Sequence, residues 1–247
     1  DRDRFSYEGI YSHDRLQMPL LREDGKLREA SWDEALEAAA AGLQRVRQAD
    51  GGSALGAWLS PSATLEEGYL TSRIMSHLGS ANMDFRLRRR DFRGQGNEPL
   101  LPGLGCGLAD VEAATGILVV GSHLRHEVPI VAHRVRKAAV AGAAVSVLNT
   151  EDYEYLFAIR QRLIKPDADF VAGLSALVSA AEDKARDSAA SDIVATLRTD
   201  SGLILLGHMA QRHPDYATVA MLAERLGELT GAQVGVLTEG ANAAGLT

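Results

Sequence analysis

The hydrophobic residues follow their most regular pattern in residues 116–148, which predict a strand, a helix and a second strand. Residues 116–120 form a continuous apolar run, typical of a strand buried on both faces of a parallel sheet. Pro129 suits the first turn of a helix, Gly142 ends that helix, and residues 144–148 form the second apolar run. Because parallel strands require such a crossover, the pattern predicts an α/β fold. One face of the helix is expected to carry Ile130, His133, Val135 and Ala138.

The same reasoning predicts the other elements of the chain. Residues 23–26 form a turn between two short apolar segments, which indicates a β-hairpin. Ser31 and Thr64 are each followed three residues later by glutamate, the pattern of a capping box at a helix start. Residues 203–237 repeat the order strand, helix, strand. The helix that follows Ser31 is predicted to bury Trp32, Ala35, Leu36, Ala39, Leu43 and Val46.

A candidate ligand crevice lies where the predicted parallel strands end. Sheets of this kind bind ligands beyond the carboxyl ends of their strands. The residues at those ends are Ser122, His123, Asn149 and His208, and they define the feature called the crevice below. His133 belongs to a predicted helix, so we expect it to pack rather than to bind a ligand.

Composition excludes several classes of protein. The formal net charge of −7 argues against general nucleic-acid binding, which requires a basic face. No apolar run approaches the ~20 residues of a membrane span, so direct membrane insertion is not expected. Cys106 is the single cysteine, which excludes an internal disulfide and a multi-cysteine metal site.

The remaining candidate residues give weak indications of chemistry. Cys106 has no adjacent base or second ligand, so we interpret it as a structural residue. The glycines at 103, 105 and 107 lack the context of a dinucleotide fingerprint. No catalytic residue and no metal ligand can be assigned. Five arginines surround Asp91, and we expect them to contact an acidic surface; they are Arg86, Arg88, Arg89, Arg90 and Arg93.

Several stretches resemble the molybdopterin oxidoreductase family, which includes formate dehydrogenases. Residues 31–36 (SWDEAL), 79–84 (GSANMD) and 240–242 (GAN) carry the resemblance, which covers nearly the whole chain. It implies a formate dehydrogenase/DMSO reductase-like α/β fold (domains 1–3) with mainly parallel sheets and helices on both faces. It also implies that residues 1–31 follow an excised iron–sulfur domain, that 32–95 belong to a first α/β lobe, and that 96–247 form a Rossmann-like second lobe.

The sequence departs from the family at three parts of the cofactor site. The position of the metal-ligating cysteine or selenocysteine is occupied by Arg90, followed by Asp91, and arginine cannot act as a thiolate. The family lysine between cluster and pterin corresponds to about Arg2. The Asp-Pro-Arg that holds the nucleotide end of the cofactor reads Asn-Thr-Glu at residues 149–151, and added carboxylates disfavour a pyrophosphate. These departures imply a vestigial crevice without a working cofactor site.

Residues 82–92 are similar to the iron–sulfur G subunits of bacterial NADH–quinone oxidoreductases (respiratory complex I), in which the family fold persists without the cofactor. This resemblance implies a non-catalytic domain that supports electron transfer from NADH to quinone by the whole proton-translocating complex. The implied partners are other subunits of the peripheral arm, on the cytoplasmic side of the membrane. No cofactor is expected in this chain, and iron–sulfur clusters are expected in a preceding N-terminal part.

Two other functions stay open from the sequence. The chain could be part of a true molybdopterin-dependent oxidoreductase such as formate dehydrogenase, with Cys106 as its single thiol. It could also be an unrelated nucleotide-binding α/β protein, although no glycine motif for phosphate binding supports this.

Overall fold

The computed structural model describes residues 7–86, 88, 91–97, 102–184 and 187–246. These residues form two compact units. The first unit contains the chain up to Trp58 together with Tyr69–Asp84. The second unit contains Leu59–Gly68 and the chain from Phe85 onward.

The first unit begins with a short helix and the predicted hairpin. Asp24 and Gly25 both have positive φ, at 49° and 78°, which gives the two-residue turn that suits strand twist. A pair of two-residue parallel strands follows later in the unit. The described elements are α1 (Glu8–Tyr11), β1 (Leu20–Glu23), β2 (Lys26–Glu29), α2 (Trp32–Asp50), β3 (Ala57–Trp58), α3 (Leu65–Leu78, shared by the two units) and β4 (Met83–Asp84).

Both predicted helix starts are confirmed. The Ser31 hydroxyl accepts a hydrogen bond from the Glu34 N–H at 3.2 Å at the start of α2. At the start of α3, Thr64 and Glu67 form a reciprocal capping box, with distances of 3.1 and 2.8 Å. These side chains satisfy N–H groups that the first turn of a helix leaves without partners.

The predicted burial of one face of α2 is wrong. None of its residues is buried, and Trp32 has 66% of its surface exposed. Leu36, Leu43 and Val46 are also exposed, and Ala35 is only partly buried. The apolar spacing indicates an amphipathic helix, whose apolar face is normally buried against another element. The described residues of the first unit provide no element that covers it.

The second unit is built on a five-stranded parallel sheet with the order β7-β6-β5-β8-β9. This sheet confirms the predicted α/β fold. Its described elements are α4 (Leu108–Ala113), β5 (Gly116–Val120), α5 (Leu124–Glu127), α6 (Pro129–Val140), β6 (Ala144–Asn149), β7 (Gln161–Ile164), α7 (Phe170–Ala181), α8 (Ser188–Leu197), β8 (Gly202–Leu206), α9 (His208–Gln211), α10 (Tyr216–Thr230) and β9 (Gln233–Val236).

Two apolar layers cover the opposite faces of this sheet. Alternate residues of a strand point to opposite faces. Leu118 and Ile204 therefore pack with residues of α7, α8 and α10. Ile117 and Val119 pack with residues of α4 and α6 on the other side. Every residue of β5 is buried, as its apolar run predicted.

The structure corrects two details of the second unit. The buried face of α6 consists of Val131, Val135 and Ala138, whereas Ile130 is 62% exposed and His133 is also exposed. Val135 and Ala138 are therefore buried as predicted, whereas Val131 is buried in place of Ile130 and His133. Strand β7 was not predicted, because its short alternating sequence differs little from the surrounding loop. No helix in the described part of the chain is long and apolar enough to cross a membrane.

Candidate functional site

The crevice lies at the switch point of the sheet, between β5 and β8. After β5 the chain forms β6 and β7 on one side, and it then returns to form β8 and β9 on the other. The connections on the two sides diverge at this point, which is where open α/β sheets bind ligands. The structure brings together there Ser122 and His123 after β5, Asn149 at the end of β6, and His208 after β8.

Glu127, which sequence reasoning did not identify, lies inside the crevice. Its carboxylate accepts hydrogen bonds from the Ser122 hydroxyl at 2.7 Å, the His123 N–H at 2.9 Å and the His208 N–H at 3.1 Å. The Glu127 side chain is 15% exposed. Its carboxylate thus joins the ends of β5 and β8 through donors suited to an anion.

The local sequence explains how Glu127 reaches these donors. Helix α5 makes one turn after His123, and Val128 and Pro129 then begin α6. This single turn directs Glu127, four residues after His123, back toward the His123 N–H. The His208 N–H comes from 81 residues further along the chain, so no local sequence signal could reveal it.

The side chain of Asn149 is also fully engaged. Its Oδ1 accepts from the Ser122 N–H at 2.8 Å, and its Nδ2 donates to the Ser122 carbonyl at 3.0 Å. The same Nδ2 donates to the Tyr155 hydroxyl at 2.9 Å. Asn149 is fully buried, so its amide connects the ends of β5 and β6.

The floor of the crevice is closely packed. A Cβ atom on Gly207 would lie 2.2 Å from the Ser122 Cβ and 2.4 Å from the Gly121 carbonyl. Gly121 has a φ of +61°, and a Cβ there would lie 2.5 Å from the Ala210 nitrogen. Only glycine allows the two strand ends to approach this closely. The Gly121 carbonyl accepts a hydrogen bond from the Met209 N–H at 2.9 Å, which continues the contact into α9.

An aromatic and acidic turn borders the crevice after β6. The His123 ring stacks on Tyr153 with centroids 4.2 Å apart, and His126 approaches it at 4.2 Å. Burial, followed by the nearby His126, lowers the pKa of His123, which favours a neutral imidazole. Glu151 and Glu154 are exposed in the same turn. The border therefore combines stacked aromatic rings with exposed carboxylates.

The structure describes only part of the region around Arg90 and Asp91, which the family resemblance matches to the metal-ligand position. Arg90 lies outside the described residues, as do Arg89 and Arg2. The Asp91 side chain is 5% exposed and accepts hydrogen bonds from the Arg93 guanidinium at 2.8 and 2.9 Å. It also accepts from the Ala217 N–H at 3.0 Å, at the start of α10.

These contacts give Asp91 a structural role. The Arg93 guanidinium, followed by the Ala217 N–H, holds the pKa of Asp91 well below its usual range. Arg93 also pairs with Asp215, so for Arg93 the expected contact with an acidic surface is found. The Arg86 guanidinium lies over the rings of Phe85 and Phe92.

Cys106 packs at the edge of the apolar layer formed by α4 and α6. Burial, with a smaller contribution from Asp110, raises the pKa of its thiol. A raised pKa disfavours the thiolate, which is the form that attacks electrophiles and binds metals. Among the described residues, no group of three histidine, cysteine or acidic side chains could hold a metal ion.

Comparisons with known proteins agree on the family. The sequence model for molybdopterin oxidoreductases matches residues 15–245. A Staphylococcus haemolyticus protein named as a formate dehydrogenase is 30% identical over 143 residues, covering 56% of this chain and 14% of its own length. The G subunit of the Rickettsia felis NADH-quinone oxidoreductase is 29% identical over 143 residues, covering 58% of this chain and 20% of its own length.

A solved structure supports the same fold. A chain of the formyltransferase/hydrolase complex (FhcABCD) of Methylorubrum extorquens, solved in complex with methylofuran, matches with a TM-score of 0.63. The match covers 90% of this chain and 61% of that one, and at 16% identity it shows the fold alone. The chain spans a fifth or less of the two curated relatives. Since the family model covers almost all of its residues, the chain belongs to the molybdopterin oxidoreductase family.

Proposed function

We propose that this chain is a non-catalytic structural domain of the iron–sulfur G subunit of a complex I. It keeps the molybdopterin oxidoreductase fold without a working cofactor site. The observation that carries the proposal is the position of the Glu127 carboxylate. Three donors at the switch point, where a phosphate group would bind in this type of sheet, already donate to that carboxylate.

The crevice residues do not fit the pyrophosphate of a molybdopterin nucleotide. A phosphate near the same donors would bring a second anion beside Glu127 in a largely buried place, which is strongly unfavourable. The amide of Asn149 is held by Ser122 and Tyr155, so it has no free N–H for a ligand. The carboxylates of Glu151 and Glu154 add repulsion at the border.

The groups around the former metal position support the same conclusion. Asp91 is engaged with Arg93 and with the start of α10, so metal binding there would require breaking these contacts. Cys106 is partly buried and its raised pKa disfavours a thiolate. In this proposal the domain contributes rigid packing, while iron–sulfur clusters in a preceding part of the protein carry the electrons.

The proposal includes partners and a location. The domain supports the electron-carrying part of its own polypeptide and neighbouring subunits of the peripheral arm, on the cytoplasmic side of the membrane. The likeness to the Rickettsia felis protein supports this assignment. A tagged copy of the longer protein, recovered from detergent-treated membranes, is expected to carry peripheral-arm subunits. Its recovery without any of them would contradict the assignment.

Cofactor content provides the direct test of the proposed function. The chain is produced in cells that supply molybdopterin to a formate dehydrogenase, which serves as the positive control. Metal analysis and pterin fluorescence are then measured on both purified proteins. We expect the control to contain both molybdenum and pterin, and this chain to contain neither. Stoichiometric molybdopterin in the chain would refute the proposal.

The alternative is a domain of a molybdopterin-dependent oxidoreductase such as a formate dehydrogenase. The similarity to the Staphylococcus haemolyticus protein favours it. It requires an anion-binding crevice and a metal ligand, and neither Glu127 nor Cys106 fits these needs. The same cofactor measurement, made on the longer protein that contains this chain, separates the two functions. Family membership excludes the third possibility, an unrelated nucleotide-binding protein.

A further inference from the structure

A second cavity lies beside the crevice, between helix α6 and the loop that follows β6. Its volume is about 180 Å³. Helix α6 contributes Pro129 and Ala132 to the wall, and the loop contributes Tyr155 and Phe157. The rings of Tyr155 and Phe157 lie 5.6 Å apart and are tilted by 57°. Glu127 does not line this cavity, whereas His123 lies at its edge and so belongs to both the crevice and the cavity.

The size of the cavity suits a small flat ligand. An apolar protein cavity of ~150 Å³ is sufficient to bind benzene. A volume of about 180 Å³ that is open on one side can therefore hold a small flat aromatic group and leave its substituent exposed. Aromatic walls such as Tyr155 and Phe157 favour stacked or edge-on contacts with such a ring.

The rim of the cavity is positively charged. Arg125 and Arg136 both line it and are exposed, with His133 between them in sequence. No hydrogen bond or ion pair joins either guanidinium to any residue that the structure describes. Glu154 is the single carboxylate among the lining residues. Two arginines against one glutamate leave a local positive charge on a chain whose formal net charge is −7.

We propose that this cavity binds a small aromatic carboxylate. The ring enters the apolar part beside Tyr155 and Phe157, and the carboxylate lies toward Arg125 and Arg136. Guanidinium groups pair with carboxylates through two parallel hydrogen bonds, which explains a preference for an acid over a neutral aromatic compound. The two arginines disfavour a cationic ligand of the same size.

Binding of 2-naphthoate to the full chain, measured by ligand-observed NMR and by its fluorescence, tests the proposal. We expect saturable binding with a dissociation constant of about 1 mM, as ordinary ligand efficiency gives for a molecule of this size. The neutral isostere 2-naphthalenemethanol is expected to bind about tenfold more weakly, because it cannot form the charged contacts. Equal binding of the acid and the alcohol would overturn the proposed ligand class.

Substitutions of the lining residues test whether 2-naphthoate binds in this cavity, and they distinguish the effect of the charged rim from that of the cavity's shape. The double variant Arg125→Gln, Arg136→Gln is expected to bind 2-naphthoate about tenfold more weakly, since two exposed charge contacts are lost. Ala132→Phe fills the cavity and is expected to abolish binding. The control Lys137→Gln removes a positive charge from the same helix at a residue that pairs with Glu112, and it is expected to leave binding within about twofold.

Three results would contradict the site. They are the absence of saturable binding up to about 10 mM naphthoate, unchanged binding in the double arginine variant, and an equal loss in Lys137→Gln. The arginine substitutions are at exposed positions, so the double variant should fold even if Ala132→Phe does not. Circular dichroism and thermal unfolding check the fold of each variant before binding is measured.

Discussion

Replacement of Glu127 by alanine tests the central feature of the crevice. The wild-type carboxylate accepts three hydrogen bonds at 2.7, 2.9 and 3.1 Å, and the side chain is 15% exposed. A buried donor that loses its acceptor costs about 1–3 kcal/mol, and partial access of water reduces that cost. With about 1 kcal/mol for each donor, Glu127→Ala should lower the free energy of unfolding by about 3 kcal/mol.

The same variant should create an anion site. Once the carboxylate is removed, the hydroxyl of Ser122 and the N–H groups of His123 and His208 can donate to phosphate. A ligand at ten times its dissociation constant stabilises the folded state by about 1.4 kcal/mol. Pyrophosphate should therefore recover part of the stability lost in Glu127→Ala, whereas it should leave the wild-type protein unchanged within about 0.3 kcal/mol.

Urea unfolding followed by circular dichroism measures both effects, at constant ionic strength and with increasing pyrophosphate. Glu151→Ala serves as the control, because it removes an exposed carboxylate near the crevice and should change stability by less than about 0.5 kcal/mol. Glu127→Gln retains one acceptor oxygen and should lose about half as much stability as the alanine variant. If pyrophosphate stabilises the wild-type protein as much as Glu127→Ala, the crevice is not closed by this carboxylate and the reasoning fails.

Three further predictions follow from the geometry. Asp91→Asn should lower the free energy of unfolding. Folding lowers the pKa of Asp91, so its carboxylate contributes fully to stability above the unfolded pKa of about 4. This contribution is lost as pH falls through the folded pKa. Urea titrations from pH 7 to acid pH should therefore show that the difference in free energy of unfolding between the wild type and Asp91→Asn becomes smaller. A difference that stays constant would contradict this. Gly207→Ala should cost about 2–3 kcal/mol because its Cβ meets Ser122, whereas Gly103→Ala, with open space, should stay within about 0.5 kcal/mol. Ser146 has a buried hydroxyl with no hydrogen-bond partner among the described residues. Ser146→Ala should therefore raise the melting temperature, by an amount that corresponds to about 0.5–1 kcal/mol in the free energy of unfolding. A loss of stability would show that the hydroxyl does have a partner.

Elements with a strong local signal could be predicted from the sequence. Strand β5 reads as an uninterrupted apolar run because both faces of the sheet are covered, and all five of its residues are buried. The starts of α2 and α3 depend on side chains three residues apart, so their capping boxes are visible in the sequence. Family membership could be predicted for a similar reason, since its motifs are contiguous.

Features that depend on distant partners could not be predicted. The spacing of Trp32, Leu36 and Val46 identifies an apolar face of α2. Spacing cannot indicate whether another element of this chain packs against that face, and these side chains are exposed. Strand β7 pairs with β6 at the edge of the sheet, and its short alternating pattern is weak without knowledge of that neighbour. The closing of the crevice depends on His208, which is 81 residues from Glu127.

The position of Glu127 also suggests how this fold can persist without a ligand. A parallel sheet with a switch point directs backbone N–H groups from two separate strand ends into one crevice. In a protein that lost its bound nucleotide, those donors would be left buried without an acceptor, at a cost of about 1–3 kcal/mol each. In this chain the Glu127 carboxylate, together with the amide of Asn149, accepts from these groups and joins β5, β6 and β8. Under the proposed function, the chain itself thus supplies stability that a bound cofactor would otherwise provide, and the response of Glu127→Ala to pyrophosphate tests this interpretation.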